Sequence, residues 1–120
     1  AFYLDNLPAD RVPPADFSSG LDGLAFKDSS AAAIAMCAFF RLHDLVQDPA
    51  LKAKYRAAAV GTLRALTSAP YFAAGDDKAG LLVYSARNYH TDPEHRLTNT
   101  SLIWGDYYLL EGLLRYRALK

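Results

Sequence analysis

Ten consecutive positions from Ala31 to Phe40 are apolar, and polar residues return only at Arg41, His43 and Asp44. A helix that is apolar on every side is buried on every side. Asp28, Ser29 or Ser30, immediately ahead, can cap its first free amides. The next stretch follows a different rule. Asp48-Pro49 reads as an N-cap followed by proline at the first helical position. Leu51, Tyr55, Ala58, Ala59, Leu63 and Leu66 then recur at spacings of three and four, while Lys52, Lys54, Arg56 and Arg64 lie mostly off that stripe. This pattern predicts an amphipathic surface helix to about Thr67. A third helix is expected from a cap at Asn99, Thr100 or Ser101 to about Leu119. Its first half, Leu102 to Trp104 and Tyr107 to Leu110, is again apolar nearly all round. Glu111 and Arg115, four apart, can pair on its one wet side.

Between these helices the chain is punctuated. Residues 1–7 read as the last turns of a helix, ended by Leu7-Pro8 because proline disfavours the α conformation at the residue before it. Pro8, Pro13, Pro14, Gly20 and Gly23, interleaved with aspartates, predict turns over residues 8–27. Residues 68–98 are mixed, with Pro70, Gly75 and Gly80 as breakers and a short extended segment expected at Gly80–Ser85. The helices thus alternate buried, surface, buried. Inner and outer layers of an α-toroid or α-solenoid produce that order, whereas a three-helix bundle would show three equally amphipathic helices. Helices apolar all round find too few partners in a chain of this size. The expectation is a fragment of a larger barrel, with exposed inner helices that drive self-association.

Composition narrows the classes. At 120 residues the chain is one domain at most. Thirteen basic residues balance thirteen acidic ones, leaving no electrostatic footprint for phosphate backbones or anionic lipid, so neither nucleic acid nor membrane is an expected partner. With 52% hydrophobic and 22% charged residues, disorder is excluded. A single cysteine excludes an internal disulfide framework and a thiolate-rich metal site. The longest apolar run is too short to span a bilayer.

Two stretches carry a resemblance. Asp28-Ser29-Ser30-Ala31-Ala32-Ala33-Ile34-Ala35 and Ser101-Leu102-Ile103-Trp104-Gly105-Asp106-Tyr107-Tyr108-Leu109-Leu110-Glu111 are similar to the C-terminal part of the unsaturated glucuronyl hydrolases, glycoside hydrolase family 88. Gly80-Leu81-Leu82 and Pro8-Ala9-Asp10-Arg11-Val12-Pro13 fit the same frame. The resemblance implies an all-α fold, a partial (α/α)6 toroid of six-hairpin type, with residues 1–120 forming roughly the last third of one barrel. It implies hydrolysis of oligosaccharides left by polysaccharide lyases, by hydration of the C4=C5 enol ether of a terminal unsaturated uronic acid. An aspartic acid protonates C4, water adds at C5, and the hemiketal opens. No metal or organic cofactor is implied. The family's two catalytic aspartates lie in the N-terminal part, so no aspartate here inherits that role and the isolated chain is expected to be inactive. The partners implied are the unsaturated oligosaccharide and the remaining N-terminal part of the barrel. Family habit and the unpaired thiol point to the cytoplasm. Ala15 stands where the family usually has tryptophan before the Asp-Phe matched by Asp16-Phe17, a departure that bears on substrate preference. A non-catalytic α-solenoid module that holds a glycan or protein is the rival reading, and an unsaturated rhamnogalacturonyl hydrolase is the neighbouring enzyme.

The candidate substrate-binding residues are Asp28, Ser29, Ser30, Trp104, Asp106 and Tyr107; none is expected to be catalytic. Asp28, Ser29 and Ser30 either present a helix N-terminus to a substrate carboxylate or merely cap it. Trp104 and Tyr107 offer flat rings with polar tips to a sugar. Asp106, in apolar surroundings, must bond a helix amide, an arginine or substrate hydroxyls, and Gly105 leaves room for close approach. Arg87, Asn88 and Tyr89 are possible rim residues. His90, Asp92, Glu94 and His95 fit no standard ligand spacing and read as a solvated loop, not a metal site. Cys37 reads as a core residue and His43 as a helix-terminus residue.

Overall fold

The computed structural model of the chain describes residues 2–21, 23–73, 75, 79–87 and 97–119. Helix α1 (Phe2–Asn6) is followed by a 3-10 turn at Leu24–Phe26, helix α2 (Ser29–Leu45), helix α3 (Pro49–Leu66), strands β1 (Ser85–Arg87) and β2 (Leu97–Thr100), and helix α4 (Ile103–Ala118). Among the described residues the fold is all-α apart from one antiparallel two-stranded ladder. The extended stretch expected at Gly80–Ser85 is displaced along the chain. A single bridge joins Leu82 to Phe72, and regular pairing starts only at Ser85.

Local chemistry starts the first two long helices as expected. Asp28 Oδ1 accepts from the amides of Ser30 and Ala31 at 3.0 and 3.2 Å. Asp48 Oδ1 does the same for Ala50 and Leu51 at 2.7 and 3.3 Å, with Pro49 in the first helical turn. Helix α4 corrects the expectation. Its N-cap is Leu102, with no side-chain capping bond, and none of Asn99, Thr100 and Ser101 fills that role. The ladder outcompetes the cap, because Thr100 lies in β2 and donates its hydroxyl to Ser85 O at 2.8 Å.

Three connecting residues fold α3 back on α2 as an antiparallel hairpin. Phe39 stacks on Tyr55 across it with ring centroids 6.2 Å apart, and His43 Nδ1 lies 3.0 Å from Lys52 O. Helix α4 packs on α2 beside α3, touching both, and runs parallel to α2. Gly105 sits against Ser30, Gly112 against Met36 and Cys37, and Arg115 and Leu119 share a cavity of about 320 Å³ with Phe40 and His43. A side chain on Gly112 would overlap the Met36 thioether, and one on Gly105 would stand 3.2 Å from Ser30 Cβ. The two glycines therefore set how closely the helices approach. Met36, Phe40, Leu63, Leu66, Leu82 and Leu109 form the centre of the core. Cys37 belongs to it. Its thiol donates to Tyr108 O at 3.2 Å, and burial raises its pKa to about 11.

The helices read as apolar all round are each covered on one side only. Ile34 and Ala38 of α2 are exposed, and α4 buries little more than Gly105, Leu109 and Gly112 among its described side chains. Helix α3 is amphipathic as expected, with Ala58, Ala59, Thr62, Leu63 and Leu66 inward, although Leu51 is exposed.

The long connection after α1 is tied down by an ionic network. The buried Lys27 ammonium donates to Asp10 Oδ1 at 3.0 Å and to Val12 O at 3.1 Å, and the Tyr71 hydroxyl donates to Asp10 Oδ2 at 2.6 Å. Partial burial opposes the Asp10 charge, but Tyr71, Lys27 and the Val12 amide outweigh it and hold its pKa below the ordinary 3.8. A carboxylate with a lowered folded-state pKa stabilises above its unfolded pKa, and that stabilisation is lost as pH falls through the folded value. Acid unfolding followed by circular dichroism should therefore steepen below about pH 4. Asp10→Asn should remove that dependence and cost roughly 1–2 kcal/mol at neutral pH. Equal acid sensitivity in both proteins would refute the assignment.

The Thr62 hydroxyl oxygen is buried with no hydrogen-bond partner among the described residues. A buried hydroxyl without a partner is destabilising relative to a methyl group. Thr62→Val is expected to raise the urea midpoint, by about 1 kcal/mol of stability, and a lowered midpoint would count against the packing described.

Candidate functional site

Because α2 and α4 are parallel, their N-termini share one end of the molecule, and the segment 79–87 crosses both. Asp106, in the first turn of α4, takes the Leu81 and Leu82 amides at 2.9 Å each, one on each carboxylate oxygen. The loop approaches the helix so closely at Gly80 that a Cβ there would lie 2.6 Å from Ser101 Cβ and 2.7 Å from Asp106 Oδ2. On α2 the fastening point is Ser29. Its amide donates to Tyr84 O at 3.0 Å and its hydroxyl to Val83 O at 2.7 Å. That proton being engaged, the Ser85 hydroxyl is the donor in the 2.8 Å bond between the two serine oxygens. Asp28 Oδ1 also receives the Ala86 amide at 3.4 Å and the Ser30 hydroxyl at 2.6 Å. Between these ties Tyr84 adopts φ +60°, a left-handed conformation that is unfavourable for a bulky residue. The bonds on either side hold it there.

The six candidate residues thus fall at one end, Ser30 touching Gly105, but in two states. Ser29 and Ser30 are buried and Asp28 caps, each engaged with the chain's own backbone or with a neighbouring side chain. Of the partners open to Asp106, the structure selects loop amides. Trp104 and Tyr107 stand out from the surface, 46% and 60% exposed, and Tyr107 lies edge-on to Tyr108 with centroids 5.1 Å apart. A cavity of about 230 Å³ opens at the loop–helix junction, lined by Ala79, Gly80, Ser101, Leu102, Ile103 and Asp106 but by neither ring. Arg87 is exposed on β1. Asn88, Tyr89, His90, Asp92, Glu94 and His95 lie outside the described residues. Among the described residues no group of three or more His, Cys, Asp or Glu is placed to hold a metal ion. The amides of Leu81 and Leu82 and the Ser85 hydroxyl are the parts that sequence reasoning missed. Gly80 was their only local signal.

No family model matches the chain. Over 96% of its length it is 36% identical to a Streptococcus pyogenes serotype M1 protein named unsaturated chondroitin disaccharide hydrolase. Over 98% it is 34% identical to an unsaturated glucuronyl hydrolase of Formosa agariphila. The chain spans 28% of the length of each of these relatives. Its fold superposes on the crystal structure of the unsaturated glucuronyl hydrolase of Bacillus sp. GL1, described as responsible for the degradation of glycosaminoglycan. The TM-score is 0.83 at 28% identity, over 98% of this chain and 30% of that one. The resemblance to the unsaturated glucuronyl hydrolases is shown. It holds in sequence and in fold, and the fold is a partial (α/α)6 toroid. A further solved structure matched equally well holds dGlcA-Glc-Rha-Glc. No helix among the described residues is long and apolar enough to cross a membrane.

Helix α4 packs parallel to α2, and α3 packs on α2 as the antiparallel arm of a hairpin. The Asp106 clamp orders the loop at the N-terminal end that α2 and α4 share. Asp106→Asn keeps one acceptor oxygen and turns an NH₂ group toward the other amide, so it should cost roughly 1–3 kcal/mol. It should also speed hydrogen exchange at Leu81 and Leu82 ahead of the helices. Unchanged exchange at those two amides would sink the clamp.

Proposed function

We propose that this chain is part of a glycoside hydrolase acting on oligosaccharides that end in an unsaturated uronic acid, and that it supplies one wall of the sugar site. The observation that carries the reading is the joint match in sequence and fold to hydrolases named for unsaturated glucuronyl and chondroitin disaccharide substrates, over nearly the whole chain. The reaction is hydration of an enol ether. A proton goes to C4, water adds to C5, and the hemiketal so formed opens to release the next sugar. The acid and the group that activates water come from residues outside this chain.

The state of the local aspartates supports that division. Asp10 is held by Lys27 and Tyr71, Asp28 and Asp48 cap helices, Asp16 takes the amide and hydroxyl of Ser18, and Asp106 clamps two amides. Each of these carboxylates is already engaged by donors of the chain itself, and a group so engaged is not turned toward a substrate. What remains for the substrate is the aromatic pair. Trp104 and Tyr107 present faces on which a sugar ring can stack and polar tips that can orient it.

The test is the decay of ultraviolet absorbance on an unsaturated chondroitin disaccharide, with the protein that contains this chain together with the rest of the barrel. Turnover is expected from that protein and none from residues 1–120 alone. Trp104→Ala and Tyr107→Ala should each raise KM about tenfold, equivalent to ~1.4 kcal/mol, with the fold retained. Unchanged KM in both variants would remove the aromatic pair from the site, and turnover by the 120-residue chain would overturn the division of labour.

A further inference from the structure

Between Asp48 and Asp76 the chain has four cations, Lys52, Lys54, Arg56 and Arg64, and no acidic residue. The chain as a whole is neutral, so the remainder is correspondingly acidic. On α3 the residues Ala58, Ala59, Thr62, Leu63 and Leu66 turn inward, which leaves Lys54, Arg56 and Arg64 exposed. Arg11, also exposed, joins them from the loop ahead of α2. Its amide donates to Pro8 O at 2.9 Å, closing a turn in which Arg11 holds φ +66°. That conformation suits glycine and disfavours a residue with a side chain. An arginine occupies it nonetheless, and its side chain lies over α3, with Nε 3.7 Å from where a Cβ on Gly61 would stand. Arg64 is three positions from Gly61 and Lys54 seven. All three cations therefore share one side of the helix, over a length of about 15 Å.

Among the described residues none of Arg11, Lys54, Arg56 and Arg64 is ion-paired, whereas Lys27 and Arg115 are. Asp10, next to Arg11, is committed to Lys27 and Tyr71, and Asp48 to the first amides of α3. Asp5 of α1 lies within electrostatic reach of Lys54, and no acid of α3 itself answers the arginines. We infer that Arg11, Lys54 and Arg64, with Arg56 on their flank, form a binding surface for a polyanionic glycan, a chain bearing repeated carboxylate or sulfate groups. The surface is separate from the residues assigned to the sugar site. A row of like charges of this length matches an anion that repeats, since a single small anion would meet one or two of them. Complementary charge speeds and strengthens such an encounter. An RNA strand is the other polyanion of comparable form. Proteins that hold single strands add aromatic rings on which the bases stack. Tyr55, the one aromatic residue of α3, is half-buried and stacked on Phe39 instead. The choice of a glycan rests on the proposed function, in which the substrates are products of glycan breakdown; the cationic surface itself does not.

The experiment uses the protein that contains this chain together with the rest of the barrel, and labelled polymeric chondroitin sulfate as the probe. The intact polymer has no unsaturated end, so the proposed reaction does not consume it. Binding is followed by fluorescence anisotropy as salt is raised. The wild-type protein should bind, and Arg11→Gly and Arg64→Gln should each weaken binding about threefold, or about tenfold together. The pair should also flatten the slope of log affinity against log salt by roughly two, one for each cation. Glycine suits the backbone at position 11, so binding lost in Arg11→Gly is not lost folding. Arg64→Lys keeps the charge and should bind nearly as the wild type does. Arg117→Gln, which removes an exposed cation of α4, is the control and should leave binding unchanged. No binding by the wild type, or equal loss in the control and the paired variant, would overturn the surface. An unstructured RNA that binds more tightly than the glycan and is weakened by the same variants would overturn the choice of ligand. Turnover of the unsaturated disaccharide is recorded in parallel and should be the same in the paired variant as in the wild type. Polymer binding without wild-type turnover would leave the surface standing and remove the proposed reaction; turnover without polymer binding would do the reverse.

Discussion

Two missing side chains on α4 govern the arrangement. Gly105 lets the helix settle on Ser30, and Gly112 lets it settle on the Met36 thioether. Each glycine costs a helix up to about 1 kcal/mol relative to alanine, and the return is contact between α2 and α4 at near-backbone distance. Once α4 lies this close and parallel to α2, the two N-termini come together. Everything at the candidate site depends on that coincidence. A larger residue at 112 would lever α4 off α2 along its middle, and the Ser29 and Asp106 ties to one loop would no longer be within reach of each other.

The segment 79–87 converts this proximity into order. Each of its ties is an ordinary hydrogen bond, worth about 1 kcal/mol net. They come from both helices and act on consecutive residues: Asp106 on Leu81 and Leu82, Ser29 on Val83 and Tyr84, and Asp28 on Ala86. Loosening any one leaves the others in register, so the segment resists movement as a unit. That redundancy explains how Tyr84 persists in a backbone conformation that it would not hold alone.

The legible parts of this structure are those written in local chemistry. Asp28, Asp48 and Pro49 mark helix starts by capping rules that need only neighbouring residues, and the spacing of Ala58, Ala59, Leu63 and Leu66 marks the buried stripe of α3. The start of α4 was misread because a tertiary pairing intervened, with Thr100 drawn into the ladder by Ser85. The need of Asp106 for a partner was legible from its apolar neighbourhood. The identity of that partner was not, since Leu81 and Leu82 lie 25 and 24 positions away and amides carry no sequence signature. The Ser29–Ser85 bond spans 56 positions and leaves still less trace. Gly105 was read as a place of close approach, whereas Gly112, which makes the tighter contact, drew no notice because a glycine's neighbour lies elsewhere in the chain.

The engagement of Asp28 and Asp106 bears on the kind of ligand this end can accept. Two bare carboxylates at the mouth of a site would repel a uronic acid, and at 4 Å the repulsion runs from about 1 kcal/mol in water to about 4 near a protein surface. Here neither carboxylate is bare. Asp28 Oδ1 is met by backbone amides and a hydroxyl at the positive end of α2, and both oxygens of Asp106 point at amides of the crossing loop. Their charge is directed inward and largely matched by oriented N–H dipoles. What the surface offers outward is aromatic area at Trp104 and Tyr107, which is indifferent to the charge of a sugar and sensitive to its shape. On the proposed reading, charge recognition of a uronate falls to groups beyond this surface, and a surface whose carboxylates are engaged in this way does not turn an acidic ligand away.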